Sequence, residues 1–340
     1  MVNNCNLHAA KKQRDDEFYT TYETIEEELK YYFPHFVGKT VLCNCDNPFD
    51  SNFCRYFLRN FNLLGLKRLI CTSYYKLPMD TQTKQLYIPI EGISSKLGYL
   101  LDVDDMGDSK VILSDAYVDQ WLIEHNSITR LKGDGDFSSE ECICYLQQAD
   151  IVVTNPPFSL FKEMVELLMI HHKSFLLIGN QNAFTYKEIF PLIQKGKVWT
   201  GYKCGDMHFR VPSDSKPRKT RFWIDEAGQK WRSIGNAMWL TNLDIERKHK
   251  MLHLKKHYSP LEYPNYDNFD AINVKRVADI PKDYPGIMGV PVTIINKYNP
   301  MQFEIIGEAN HGSDSEFDLF KPLVDGKLLF KRILIRNRML

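Results

Sequence analysis

The chain has 340 residues, 44% of them hydrophobic and 13% aromatic, with 43 basic and 43 acidic side chains. This length and composition allow a sizeable core and predict one large domain plus a smaller one. The charge is unevenly divided: residues 1–186 carry 17 Lys/Arg and 25 Asp/Glu, a net of −8, whereas residues 187–340 carry 26 and 18, a net of +8. A basic half suits contact with a polyanion, although chance segregation of solvated charges is the alternative.

Signals for secretion, membrane insertion and metal binding are missing from the sequence. Met1–Asp16 has no apolar core like that of a signal peptide, and no stretch approaches the ~20 apolar residues of a membrane span. Cys43/Cys45 and Cys142/Cys144 are each separated by one residue, which is not the spacing of zinc ligands. We therefore expect no metal site, no membrane segment and reduced thiols in a cytoplasmic protein.

The first regular pattern in the chain is strand–helix–strand. Lys39–Pro48 is interpreted as a strand and the loop that leaves it, Phe53–Phe61 as a helix and Leu66–Thr72 as a second strand, which together open a doubly wound sheet. The loop Asp46–Asn52 then lies where open α/β sheets bind ligands. It has two carboxylates and no glycine, so it favours a cationic or hydroxyl-bearing cofactor over a pyrophosphate.

Residues 75–130 are predicted to be an insertion, with a hairpin formed by Gln85–Ile90 and Gly98–Val103. The segment Leu131–Phe137 follows as a second loop at the ligand edge. In this loop Asp136 is followed by Phe137, and an acid followed by an aromatic ring can hydrogen-bond an adenine amine and cover its ring. A plain surface turn is an equally good interpretation of the same residues.

The stretch Asp150–Phe158 organises the chain. Ile151–Val153 is a short apolar run typical of a buried parallel strand. Pro156 and Pro157 lack a backbone donor and force an extended turn. Ser159 is then predicted to cap a helix over residues 160–169.

A rigid turn of this kind can hold a planar heterocycle with an exocyclic amine. Asn155 offers a side-chain acceptor, Pro156 a carbonyl acceptor and Phe158 a stacking face. The alternative is that Asn-Pro-Pro-Phe is only a tight strand-to-helix turn. The preceding strand and the following helix favour the binding site.

After residue 198 the pattern changes to short strands. Met207–Val211, Thr220–Ile224 and Ala237–Thr241 are predicted as antiparallel strands that close the sheet, with the basic loop Pro212–Arg221 between the first two. The rest of the chain interleaves basic residues with Tyr and Phe, as phosphate contacts and base stacking require. The domain boundary is expected near residues 242–260.

Four segments together resemble the EcoRI-type DNA adenine-N6 methyltransferases: Asp16–Thr20, Asn44–Pro48, Gly133–Phe137 and Ile151–Phe158. The resemblance runs over most of residues 10–245, and the motif order is similar to the γ arrangement. It implies an α/β fold with a doubly wound, mostly parallel, Rossmann-like sheet, an antiparallel edge and a smaller C-terminal recognition region. Residues 1–245 would form the catalytic domain and residues 246–340 the DNA target-recognition region.

The resemblance also implies roles for particular residues. The catalytic residues would hold the target base. Asn155 and the Pro156 carbonyl would accept hydrogen bonds from the adenine amine, and Phe158 would stack on the base. The cofactor group would surround S-adenosyl-L-methionine: Phe18, Tyr19, Thr20, Asn44, Asp46, Asp136 and Phe137. The residues expected to contact DNA are chosen by position and charge instead. Trp239 would be a second stacking face because it lies on a late strand, and the basic loop would contribute Arg218, Lys219 and Arg221. Two departures from the broader methyltransferase pattern concern the first loop, which has no glycine, and Thr72–Tyr74, which lacks the usual ribose-binding acid.

The implied activity is adenine N6 methylation of duplex DNA after the base is flipped out, by a bacterial or phage-encoded modification enzyme. A monomer is expected, with a restriction endonuclease that acts on the same site as a possible partner. One alternative is transfer to another planar amine or amide: rRNA adenine, cytosine N4 or protein glutamine. The other is a catalytically silent DNA-binding protein of the same fold.

Overall fold

The computed structural model describes residues 18–74, 97–108, 110–312 and 315–340. The described residues form two compact units. One holds the residues up to Asn180 together with Tyr202–Leu243, and the other holds Gln181–Gly201 and Asp244–Leu340. Residues 181–201 thus group with residues 244–340, although they lie before the predicted boundary at residue 245. The predicted strand Gln85–Ile90 lies outside the described residues.

The α-helices of the described residues are α1 (Tyr22–Leu29), α2 (Phe33–Phe36), α3 (Asn52–Arg59), α4 (Asp115–Glu124), α5 (Glu140–Gln148), α6 (Phe161–Ile170), α7 (Phe190–Gln194) and α8 (Glu246–His249). The strands of the larger sheet are β1 (Tyr19–Thr20), β2 (Thr40–Cys43), β3 (Arg68–Ser73), β4 (Tyr99–Val103), β5 (Ile128–Arg130), β6 (Ile151–Thr154), β7 (Ser174–Asn180), β8 (Trp199–Arg210), β9 (Phe222–Ile224) and β10 (Lys230–Thr241). No helix among these described segments is both long and apolar enough to cross a membrane.

The larger sheet has the order β1-β8-β10-β7-β6-β2-β3-β4-β5, with β9 paired to β10. Its centre, β7-β6-β2-β3, is parallel. On one side β4 and β5 run antiparallel, and on the other side β10 pairs antiparallel with β7. The prediction of a mostly parallel sheet with one antiparallel edge is therefore wrong, because antiparallel strands flank the parallel centre on both sides.

The two middle strands of the parallel centre, β2 and β6, are short and mainly apolar. Every residue of β2 and β6 is buried, as in a parallel sheet that is covered on both faces. Two of the helices that precede or follow these strands begin at serine caps: Ser51 accepts from two backbone amides at α3, and Ser139 accepts from Cys142 N at α5. The prediction for Ser159 is wrong, because it lies inside a 3-10 turn and α6 begins without a side-chain cap.

The connectivity brings two loops together at one edge of the sheet. From β2 the chain crosses to β3 on one side, while β6 pairs with β2 on the other. The carboxyl ends of β2 and β6 are therefore adjacent at a point where the strand order reverses, which is where open α/β sheets bind ligands. Asn44 follows β2 and Asn155 follows β6.

The second unit has a sheet of its own. Its strands are β11 (Ile272–Asn273), β12 (Met288–Pro291), β13 (Phe303–Ala309), β14 (Asp318–Phe320) and β17 (Arg332–Asn337), in the order β11-β12-β17-β13-β14, and a separate pair is formed by β15 (Leu323–Val324) and β16 (Lys327–Leu328). Ile333, Leu334 and Ile335 of its central strand are fully buried. This unit therefore has its own core.

Candidate active site

A cavity of about 670 Å³ is lined by the loops that leave β2 and β6. Three groups of residues surround it. The Asn155 wall comprises Phe18, Thr20, Asn155 and Pro156, together with Phe158, which is not itself one of the lining residues. The Asp46 floor comprises Asn44, Asp46 and Ser51. The Asp136 wall comprises Ser73, Tyr74, Gly135, Asp136 and Phe137. The residues predicted for catalysis and cofactor binding are thus brought together around one cavity.

The orientation of the Asn155 amide follows from its partners. Its Nδ2 donates to the Phe18 carbonyl at 2.6 Å and to Thr20 Oγ1 at 3.1 Å. A backbone carbonyl can only accept, so the nitrogen of the amide must face it. Asn155 Oδ1 is buried and has no hydrogen-bond partner among the described residues. A buried acceptor left unpaired costs about 1–3 kcal/mol, which a donor on a ligand would recover.

Phe158 does not line the cavity itself but stacks on Phe18, which does. The centroids of Phe18 and Phe158 are 5.1 Å apart, with an interplanar angle of 29°. Phe18 also has an edge contact with Phe209 at 5.5 Å, and the Arg232 guanidinium lies 5.0 Å from its centroid. The N-terminal segment is therefore packed against the Asn-Pro-Pro-Phe turn.

A two-residue strand places this segment. In β1, Tyr19 pairs with Arg210 and Thr20 with Phe209 of β8. The Asn52 side chain donates to the Thr20 carbonyl at 2.7 Å. Sequence reasoning assigned Phe18–Thr20 to the cofactor alone and missed their contacts with Asn155. No local signal reveals those contacts, since the partners are 135 and 137 positions apart.

The Asp46 floor carries a carboxylate held by hydroxyl groups. Ser51 Oγ donates to Asp46 Oδ1 at 2.7 Å, and Thr154 Oγ1 donates to Oδ2 at 2.6 Å. Asp46 is only 7% exposed. Nearby, Asn44 contacts Met164 Sδ through Nδ2, and its Oδ1 is a buried acceptor without a partner in the described part of the chain. The floor therefore offers one fixed carboxylate and one unused amide oxygen.

The Asp136 wall depends on a glycine. Gly135 has φ +82°, and a Cβ there would lie 2.1 Å from the Ser73 carbonyl oxygen. Only glycine allows this close approach of the loop to the end of β3. The next residue, Asp136, is exposed and accepts from the Ser138 amide at 2.8 Å and hydroxyl at 2.7 Å.

Hydroxyl groups occupy the end of β3 in place of the usual acid. Thr72 Oγ1 and Ser73 Oγ are buried without partners among the described residues. Tyr74 follows, and burial together with the carboxylates of Asp134 and Asp136 raises the pKa of its phenol. A tyrosine phenol is protonated at neutral pH even at its ordinary pKa, so Tyr74 is available as a hydrogen-bond donor.

The buried thiols near the cavity are not candidates for nucleophilic chemistry. Burial raises the pKa of Cys43 to about 12 and also raises the pKa values of Cys54 and Cys71. The thiolate is the reactive form of cysteine, so these groups are inert at neutral pH. Across the segments that the structure describes, no three His, Cys, Asp or Glu residues are grouped as a metal site.

Trp239 is not placed as predicted. Its ring is 0% exposed and has an edge contact with Phe53 at 5.9 Å. The whole segment Ala237–Thr241 of β10 is buried, so both faces of the strand are covered. A ring in this position has no free face for a base, and Trp239 is therefore a core residue.

The basic loop between β8 and β9 lies largely at the surface. Arg218 and Lys219 are exposed. Arg221 also lies at the surface but forms an ion pair with Asp206 at 3.0 Å and donates to Ser233 Oγ at 3.3 Å. Of the three residues predicted to contact DNA, Arg221 has this intramolecular role as well.

Comparison with known proteins agrees with the geometry. The model of a family described as adenine-specific methyltransferase EcoRI matches residues 6–338. The chain is 44% identical to the Type II methyltransferase M.EcoRI of Escherichia coli, over 98% of this chain and 97% of that protein. It is 37% identical to M.MpnI of Mycoplasma pneumoniae and 36% identical to M.MgeORF184P of Mycoplasma genitalium, each over 88% of this chain. These alignments cover 84% and 85% of the two relatives, respectively. No solved structure matches.

Proposed function

This chain belongs to the EcoRI family of adenine-specific methyltransferases, and from that premise we propose that it methylates N6 of adenine in duplex DNA as a restriction-modification enzyme. The relatives at 36–44% identity are named Type II methyltransferases. The observation that carries the proposal is the Asn155 amide, whose nitrogen is fully used and whose buried oxygen is free. An adenine amine is a donor of the kind this oxygen lacks.

The cavity suits S-adenosyl-L-methionine as the methyl donor. Its volume of about 670 Å³ falls within the range of small-molecule sites. The unpaired oxygens of Asn44 and Ser73 and the fixed carboxylate of Asp46 suit a ligand rich in hydroxyl and ammonium groups. Asp136 and Phe137 would hold its adenine, and Tyr19 would cover it. When bound, this cofactor supplies a methyl group on a positively charged sulfur.

The residues of the Asn155 wall would activate the target amine. The adenine must first leave the base stack, which costs a few kcal/mol, and stacking on Phe158 would return about 1–3 kcal/mol. The lone pair of the amine is delocalised into the ring, so the nitrogen is a poor nucleophile. Acceptors at Asn155 Oδ1 and the Pro156 carbonyl favour the pyramidal amine and stabilise the positive charge that develops on it. The wall also holds the nitrogen in a fixed position for transfer.

The DNA partner would be bound mainly through phosphate contacts. Arg218 and Lys219 in the exposed loop supply positive charge beside the catalytic sheet. Residues 246–340 carry 15 Lys/Arg and 12 Asp/Glu, and we assign target recognition to this region and catalysis to residues 1–245. The enzyme would act as a cytoplasmic monomer, with a restriction endonuclease of the same specificity as its partner.

Methyl transfer from labelled S-adenosyl-L-methionine to unmethylated genomic DNA, followed by nucleoside digestion, tests the proposal. N6-methyl-2′-deoxyadenosine is the expected product. N4-methyl-2′-deoxycytidine would contradict the target base. Labelling of RNA or protein, with none in DNA, would contradict the substrate. No transfer to any of them, with the cofactor bound, would indicate a catalytically silent protein.

A further inference from the structure

The ring of Phe18 covers one face of the Phe158 ring. The Phe18 and Phe158 centroids are 5.1 Å apart. A base held between two rings requires a centroid separation of about 7 Å, twice the ~3.5 Å contact distance of carbon atoms. The two rings therefore leave no room for an adenine between them.

The ring contacts of Phe18 with other described residues are individually weak. It has an edge contact with Phe209 at 5.5 Å, and the Arg232 guanidinium lies 5.0 Å from its centroid. Aromatic and cation–π contacts of this kind each contribute about 0.5–1.5 kcal/mol. A flipped base can replace such contacts, because it brings comparable stacking of its own.

The backbone of Phe18 is fixed independently of its ring. The Asn155 amide donates to the Phe18 carbonyl at 2.6 Å, and β1 begins at the next residue. The ring can rotate about its side-chain torsions while the carbonyl keeps its hydrogen bond. Movement of the Phe18 ring away from Phe158 would therefore leave the orientation of Asn155 unchanged.

We propose that Phe18 holds the place of the target adenine on Phe158 and that its ring swings away as the base enters. This inference rests on the proposed function, since it takes Phe158 as the stacking face of the target base. Phe18 then covers the stacking face of Phe158 until DNA is bound. Every flipping event includes the loss of the Phe18–Phe158 stack, which raises the free energy of the flipped state.

The test compares wild-type protein with Phe18→Ala on a duplex that contains the methylation site read from the reaction product. If Phe18 is a placeholder, its removal lowers the dissociation constant about 2- to 12-fold, the equivalent of one aromatic pair. If Phe18 instead forms a second wall that sandwiches the base, the dissociation constant rises and the rate falls, and the proposal is overturned. An unchanged dissociation constant overturns it as well.

Two further variants make the result specific. Phe18→Leu keeps apolar bulk against Phe209 and loses the stack, so it should change the dissociation constant in the same direction. It replaces the alanine variant if that variant folds poorly. Tyr31→Ala removes another stacked ring of the same unit, 3.9 Å from Tyr202 and outside the cavity lining. This control leaves both quantities unchanged. Failure of the wild-type protein to methylate adenine would refute the proposed function instead, so the two failures are distinguishable.

Discussion

The Asn155 wall and the Asp136 wall border the same cavity but are built in opposite ways. Asn155 is neutral, and its partners Phe18 and Thr20 are 137 and 135 positions away. Asp136 is charged and exposed, and its partner Ser138 is two positions away. One wall is assembled by long-range contacts, whereas the other is a local turn.

This difference matches the roles proposed for the two walls. A group that stabilises charge in a transition state must be oriented before the reaction begins, which the bonds to Asn155 Nδ2 achieve. A group that holds a cofactor adenine needs only an accessible acceptor, which a surface turn such as that of Asp136 supplies. Loss of Asn155 should therefore reduce the rate of transfer, and loss of Asp136 should reduce the affinity for the cofactor.

The largest effect is expected from Asn155→Ala. Removal of a positioned group that stabilises transition-state charge lowers rates by about 10²–10³, so we expect transfer to fall at least this far and cofactor affinity to change only a few-fold. Single-turnover labelling and equilibrium cofactor binding measure the two quantities. Asn62→Ala is the control, since Asn62 donates to the Gly107 carbonyl outside the cavity lining. Transfer at the wild-type rate by the Asn155 variant would remove it from the chemistry.

Asp136→Ala should show the reverse pattern. Hydrogen bonds to charged groups contribute about 1.5–3 kcal/mol, so cofactor affinity should fall about 10- to 150-fold. The rate at saturating cofactor should remain close to wild type. Asp105→Ala removes a similar local turn, in which the carboxylate accepts from Gly107 N at 2.8 Å, and should change neither value. A lower saturated rate with normal affinity would assign Asp136 to the other wall.

Gly135→Ala tests the packing beneath the Asp136 wall. Its Cβ would meet the Ser73 oxygen at 2.1 Å, and φ is +82°. Backbone shifts that relieve such a clash cost about 1–3 kcal/mol. Gly228→Ala is the matched control, with φ +79° and nothing within 4 Å of the added carbon. Thermal unfolding should show a larger loss of stability for the Gly135 variant than for the control, and cofactor titration should show a larger loss of affinity. Equal losses would mean that backbone strain alone matters there.

Thr20→Val changes the Asn155 wall most gently. Valine keeps the shape but removes the Oγ1 acceptor of Asn155 Nδ2, while the Phe18 carbonyl remains. A neutral hydrogen bond contributes about 0.5–1.5 kcal/mol, so the transfer rate should fall about 2- to 12-fold at unchanged cofactor affinity. Thr129→Val on β5, where the side chain is exposed, is the control. If weaker cofactor binding were the whole effect, Thr20 would belong to the cofactor site alone.

Neutralisation of the loop outside both walls should have the smallest effect on the chemical step. Arg218→Gln with Lys219→Gln should reduce the salt dependence of DNA binding by about two units of slope if both contact phosphate. The rate at saturating DNA should be unchanged. Neutralisation of the exposed Lys67 and Lys110 removes the same charge elsewhere. Parallel salt titrations compare the pairs, and identical slopes would remove the loop from the interface.

Local sequence could predict the elements that depend on local chemistry. The buried strands β2 and β6 and the helix α3 were predicted because apolar runs and helical patterns extend over a few neighbouring residues. Ser159 was assigned wrongly, since the 3-10 turn that follows the prolines delays the start of α6.

Features that depend on distant contacts were beyond local patterns. β1 has two residues and pairs with a strand about 190 positions later, so neither its pairing nor the contacts of Phe18 with Asn155 leave a local signal. Trp239 was misassigned because β10 is buried on both faces at Ala237–Thr241. Buried and exposed residues do not alternate there, so the sequence pattern does not show which side chains are exposed. The antiparallel strands on both sides of the sheet centre depend in the same way on long-range pairing.

In the proposed function, Asn155 Oδ1 accepts a hydrogen bond from the target amine. A crystal structure of the protein with its DNA site and a non-reactive cofactor analogue tests it most directly. We predict an extrahelical adenine whose N6 lies about 2.7–3.2 Å from Asn155 Oδ1, with Nδ2 still on the Phe18 carbonyl. An adenine that remains in the duplex, or an N6 bound by another acceptor while Oδ1 stays unpaired, would contradict the account.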